Sequence, residues 1–128
     1  MKNIRKLIAA GLLFCILMIG FSAGAQAAPS LKWNTDAVHY DDQGRLVVEG
    51  YFYNDGTRVV SWVKSHHIQV YFRTRSTAWR LQVETTFSGL NVYLRPGESS
   101  RWTLRITNVD IADYEYWYIN WQVEYEYL

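Results

Sequence analysis

Beyond residue 30 the apolar positions repeat with period two between short polar turns, and no stretch of useful length carries the 3.6-residue period of a helix. "LKWNTDAVHY" predicts a first strand, Leu31 to Tyr40, and "DDQG" (Asp41 to Gly44) a tight turn whose glycine supplies positive φ. In "RLVVEGYFYN", Leu46, Val48, Gly50 and Phe52 share one face and Val47, Glu49, Tyr51 and Tyr53 the other, before "NDG" ends the strand. "HIQVYFR" turns Ile68, Val70 and Phe72 inward and His67, Gln69, Tyr71 and Arg73 outward. "AWRLQVET" turns Trp79, Leu81 and Val83 inward against Arg80, Gln82 and Glu84. A short strand near Leu90 to Leu94 follows, then a turn at Pro96-Gly97. "RWTLRIT" buries Trp102, Leu104 and Ile106 and shows Arg101, Thr103, Arg105 and Thr107. With a last strand from about Glu115, the pattern predicts an all-β fold: a two-sheet sandwich of about seven strands with immunoglobulin- or fibronectin-like architecture.

The chain closes on "YEYWYINWQVEYEYL", where parity separates two sets. Trp117, Ile119, Trp121, Val123 and Tyr125 share the core face; Tyr116, Tyr118, Asn120, Gln122, Glu124 and Glu126 share the outer one. Just upstream, "DIADYEY" resembles the D-x-A-x-Y-x-C run of immunoglobulin domains, which would turn both Tyr114 and Tyr116 inward. The two registers are compatible only through a bulge near Tyr116, and the longer apolar alternation favours Tyr116 outside.

The N-terminus changes the picture of location and charge. Lys2, Arg5 and Lys6 precede an apolar run from Leu7 to Phe21 and a small-residue site at Ala25-Gln26-Ala27, the pattern of a helical secretory signal peptide cleaved after Ala27. Residues 1–27 are thus expected to be a leader and 28–128 one secreted, extracytoplasmic domain, touching a membrane only before cleavage. The single cysteine, Cys15, lies in the leader, so packing alone must hold the domain, which suits a bacterial exported protein. Three of the thirteen basic residues leave with the leader and all twelve acidic ones stay, ten against twelve. That balance removes the electrostatic argument for nucleic-acid binding.

"LVVEGYFYNDGTRVVSWVKSHHIQVYF" followed by "LNVYLRPGESSRWTLRI" resembles the small secreted bacterial modules known as FxLYD domains and the S-layer-associated SLAP domains. The resemblance covers Leu46 to Ile106 and rests on Gly50, Asn54, Pro96 and Gly97. It implies a non-catalytic cell-envelope module and supplies no catalytic or ligand-binding residues.

The residues themselves point away from catalysis, metals and cofactors. His66 and His67 are adjacent on a strand and point to opposite faces, so they cannot jointly chelate an ion. Asp41 and Asp42 fit a hairpin turn better than a calcium loop. There is no G-x-S-x-G elbow, and no histidine has an obvious orienting partner in the sequence. Glu124 and Glu126 have the i, i+2 spacing of a glycosidase pair but lie on a terminal strand with no cleft around them. What remains is the outer face. If the third, sixth and seventh strands share a sheet, its exposed side gathers Tyr71, Arg73, Arg101, Arg105, Tyr116 and Tyr118 among amides, the composition of a recognition surface. The expected partner is a cell-envelope protein bound by this face or by the edge of the last strand; the alternative is a wall glycan stacked on Tyr71, Tyr116 and Tyr118.

Overall fold

Period-two patterning with frequent β-branched and aromatic residues favours strands, and among the described residues, 5–10 and 27–128, every regular element is one. In this computed structural model the strands are β1 (Arg5–Ala10), β2 (Leu31–Tyr40), β3 (Leu46–Asn54), β4 (Val60–Arg73), β5 (Arg80–Leu90), β6 (Ser99–Ile106) and β7 (Tyr116–Tyr127). They form two antiparallel sheets, ordered β1-β7-β4-β5 and β2-β3-β6. The inner faces meet in one core: Trp33, Leu46, Val48 and Phe52 from one sheet pack against Val63, Ile68, Val70, Phe72, Val123 and Tyr125 from the other.

Three expectations change. The leader's helix falls mostly outside the described residues, and its portion Arg5–Ala10 is instead a strand along β7. There is no separate strand at Leu90 to Leu94: β5 runs to Leu90, after which Val92 and Leu94 drop into the core and Leu94 makes a single bridge to Val60. Six strands, not seven, therefore follow residue 27 among the described residues. The sixth expected strand, β6, pairs with β3 in the opposite sheet and does not join β4 and β7. Alternation reports which face is buried but carries no information about which strand lies alongside.

β4 is twice as long as "HIQVYFR" because register shifts between Val60 and Trp62 and between Val63 and Ser65 break the alternation that would extend it. The turns follow the chemistry of their residues. Pro96 presets φ, Gly97 sits at φ +85°, and the Glu98 side chain accepts the Arg95 N–H at 2.7 Å. Asn54, fully buried, ties three segments together: its amide donates to Arg58 O at 2.8 Å and Leu94 O at 2.9 Å, and its Oδ1 accepts from Gly56 N at 3.0 Å.

Candidate functional site

The outer face of the four-stranded sheet is built by cross-strand neighbours of β4 and β7. Their register sets Tyr71 opposite Tyr118 and Arg73 opposite Tyr116, with Gln69 opposite Asn120 and His67 opposite Gln122. Directly opposed side chains on one face are the closest neighbours in a sheet, so tyrosines so paired must stack. They do, with centroids 4.6 Å apart and planes 5° from parallel. That separation is about the 4.8 Å spacing of adjacent strands. The rings therefore stand upright on the sheet, face to face, with their edges toward solvent.

Arg73 extends the array. Its guanidinium lies 4.8 Å from the Tyr116 ring centroid and 5.2 Å from that of Trp79, whose ring meets Tyr118 edge-on at 4.6 Å. The Arg73 Nε is buried with no hydrogen-bond partner, so the two ring faces take over its stabilisation. Trp79 and Tyr116 are each 42% exposed. Beside them a groove of about 560 Å³ runs between the turn after β4 and the segment before β7, lined by Phe72, Arg73, Thr77, Trp79 and Ile111. Leu81 and Ile111, 46% and 69% exposed, continue the apolar surface. Glu115 fixes the start of β7 against this turn: its N–H donates to Arg73 O, and its carboxylate accepts from the Arg75 backbone and pairs with Arg75 Nε at 3.2 Å.

Of the six expected site residues, Tyr71, Arg73, Tyr116 and Tyr118 come together here. Arg101 and Arg105 do not, because β6 belongs to the other sheet. Arg101 donates to Asp36 at 2.6 Å and lies 5.9 Å from the Tyr51 ring centroid, while Arg105 lines a shallow groove with His39, Glu49 and Thr103. Trp79 is the residue that alternation misplaces. A register shift between Val70 and Tyr71 leaves Gln82 out of the ladder, and Trp79 and Leu81 stand exposed, with only Val83 against the core. Tyr114, in contrast, does turn inward, stacking on Phe72 at 4.2 Å and donating to Val38 O at 2.6 Å.

The two histidines of β4 do point apart. His67 lies on the outer face, where Nε2 meets Glu84 Oε2 at 2.7 Å and Nδ1 meets Thr86 Oγ1 at 2.7 Å. It thus has an orienting carboxylate that the sequence does not reveal, since Glu84 becomes its neighbour only through the β4–β5 register. Hydrogen bonds from His67 and then Gln69 hold the Glu84 carboxyl below the usual carboxylate range. Hydroxyl, imidazole and carboxylate here form a cross-strand ladder on an open sheet face, and the groove beside β5 lies along Glu84 and Thr85 without His67. His66 is fully buried against Trp33, Phe52 and Trp121, with neither ring nitrogen hydrogen-bonded. Burial, reinforced by the neighbouring His67, drives its pKa down to about 3 against a weak opposing pull from the Gln122 backbone. Among the described residues no group of three or more histidine, cysteine or acidic side chains is placed to hold a metal ion. Glu124, half of the carboxylate pair considered for glycan cleavage, is held by Lys64 at 3.3 Å. No family model, curated protein or solved structure matches this chain.

Proposed function

We propose that this is a non-catalytic, secreted module of the bacterial cell envelope that binds a protein partner through the outer face of the β4–β7 sheet. The observation that supports it is Arg73 held between the Trp79 and Tyr116 rings beside the stacked Tyr71 and Tyr118. Tryptophan, tyrosine and arginine are the residues that dominate protein-binding hot spots, and rigid, prepaired side chains lose little entropy on binding. The adjoining groove and exposed Ile111 offer a concave apolar margin to the same surface. Export is inferred from the leader pattern of residues 1–27.

The wall-glycan alternative needs ring faces turned toward solvent; Tyr71 and Tyr118 each give one face to the other, and the Arg73 guanidinium lies over the Tyr116 ring. For the architecture, the sheet orders β2-β3-β6 and β5-β4-β7 correspond to strands A-B-E and C′-C-F of an immunoglobulin-type sandwich, with β1 in the place of G. The FxLYD or SLAP resemblance draws its support from the turn and packing roles of Gly50, Asn54, Pro96 and Gly97.

A pull-down with residues 28–128 against native envelope and against protein-stripped glycan wall tests the assignment. Capture from native envelope alone, lost in a Tyr116→Ala/Tyr118→Ala variant, is the expected result. Capture by stripped wall that falls in the same variant would make the domain a carbohydrate module instead.

A further inference from the structure

The sheet that carries the aromatic face also has an edge whose occupant is a piece of the leader. β7 has β4 on one side; on the other, Arg5–Ala10 pairs antiparallel with Gln122–Tyr127, from Arg5 opposite Tyr127 to Ala10 opposite Gln122. Cleavage after Ala27 removes β1 and bares a six-residue ladder of backbone donors and acceptors on β7. In the immunoglobulin-type correspondence, that bare position is the one filled by the G strand.

We propose that the β7 edge at Gln122–Tyr127 accepts an extended antiparallel strand from another protein, one with apolar residues on its inner face and basic residues on its outer face. The inference rests on the protein-recognition assignment and names a second element of it. β-strand addition draws affinity from main-chain hydrogen bonds and selectivity from alternate side chains. On this edge the alternate positions are sharply different. Val123, Tyr125 and Tyr127 are buried on the core side, whereas Glu124 and Glu126 lie on the outer side. A strand in register sets its inner residues beside the aliphatic and aromatic row and its outer residues beside Glu126 and beside Glu124, whose carboxylate also pairs with Lys64 of β4 at 3.3 Å. The sequence seated there has that form in part: Leu7 is opposite Tyr125, Ala9 opposite Val123 and Lys6 opposite Glu126, while Arg5 is opposite Tyr127 and Ile8 opposite Glu124.

A second copy fits poorly. Antiparallel β7–β7 pairing that keeps the buried faces together and is centred on residues 124 to 126 sets glutamate directly opposite glutamate, which destabilises a sheet. A different chain with basic outer positions meets no such penalty.

The probe is a fluorescent peptide RKLIAA flanked by glycines, titrated onto residues 28–128 and onto the full chain, with near-ultraviolet circular dichroism confirming the fold of each. The expected result is saturable binding to residues 28–128, at least tenfold tighter than that of a scrambled peptide with grouped apolar residues. Binding to the full chain should be at least tenfold weaker, because its own strand competes. New hydrogen-exchange protection should appear at Gln122–Tyr127, and Glu126→Lys should shift preference to the peptide RELIAA, whose second residue is the one opposite position 126. Equal binding of the scrambled peptide, protection elsewhere, or no saturation overturns the proposal. Tyr116→Ala/Tyr118→Ala should leave peptide binding unchanged. Peptide failure with envelope capture intact overturns the edge alone, and envelope failure with peptide binding intact overturns only the aromatic face.

Discussion

Burying an imidazole without partners makes this small sandwich sensitive to acid. In the unfolded chain His66 titrates near its ordinary 6.5, whereas in the fold it stays neutral down to about 3. Below pH 6.5 the unfolded state binds a proton that the folded state refuses, so stability falls as pH drops through the window from 6.5 to 3. The maximal slope is about 1.4 kcal/mol per pH unit. His39 acts in the opposite sense: its hydrogen bond to Glu49 raises its pKa, giving stability that is complete below 6.5 and lost as pH rises. That pair is on the surface, so its effect is small. Glu84, with its lowered pKa, contributes stability above the unfolded value of 4.5 that fades as pH falls. Urea denaturation from pH 7.5 to 4.5 should therefore show declining stability. His66→Leu should flatten the upper part of that decline while keeping stability at pH 7.5 within about 1 kcal/mol of the parent, because an apolar residue of similar volume strands no polar atom. An unchanged slope in the variant would mean that another group controls acid unfolding.

Arg73 gives a second test at the same scale. A guanidinium is planar and stacks against two rings at once; an ammonium on a flexible stem does not. Arg73→Lys should retain the fold, with a melting temperature within a few degrees of the parent, and should lower envelope capture nearly as far as Arg73→Ala. Full capture by the lysine variant would reduce the role of Arg73 to that of a point charge.

At the scale of strands and turns, faces were far more legible than lengths and neighbours. β3 has Leu46, Val48 and Phe52 buried on one face, as strict alternation requires, and the same parity turns Val123 and Tyr125 inward on β7. The failures cluster at register shifts. The offset at Val70/Tyr71 exposes Trp79 and Leu81, and the offsets early in β4 hide its first turn of residues from any period-two test. A bulge arises from three-dimensional pairing, so one strand's own sequence does not announce it. Glycine at position 50 was legible as part of a face but not as a packing requirement. A Cβ there would lie 2.1 Å from Asn34 O and 2.7 Å from the Trp33 ring. Gly50→Ala should consequently destabilise the domain by about 3 kcal/mol, since the nearest obstacle is backbone that cannot rotate away. Asn54→Ala should lose about 2–3 kcal/mol by removing the amide that bridges Arg58 and Leu94 and the acceptor for Gly56. Thermal melts of the two variants check both values, and a loss below 1 kcal/mol for Gly50→Ala would mean that β2 yields at Asn34.

For the molecule as a whole, sheet order decides what the candidate site can be. Sequence alternation assembled six residues into one surface, but four were joined and two were separated because β6 pairs with β3. The outer glutamates of β7 acquire meaning only at this scale. An exposed edge invites association with another copy, and charges along it are a common protection. With β1 gone, residues 28–128 have Glu124 and Glu126 on the bared edge, in positions that face each other in paired copies. The domain should accordingly sediment as a monomer at neutral pH and moderate ionic strength. Glu124→Gln/Glu126→Gln removes the repulsion while leaving the ladder intact, and should shift sedimentation toward a dimer as protein concentration rises. Because like-charge repulsion is screened within about 10 Å at 0.1 M salt, raising the ionic strength should move the parent the same way but less far. A variant that stays monomeric at every concentration would show that something other than these two charges guards the edge.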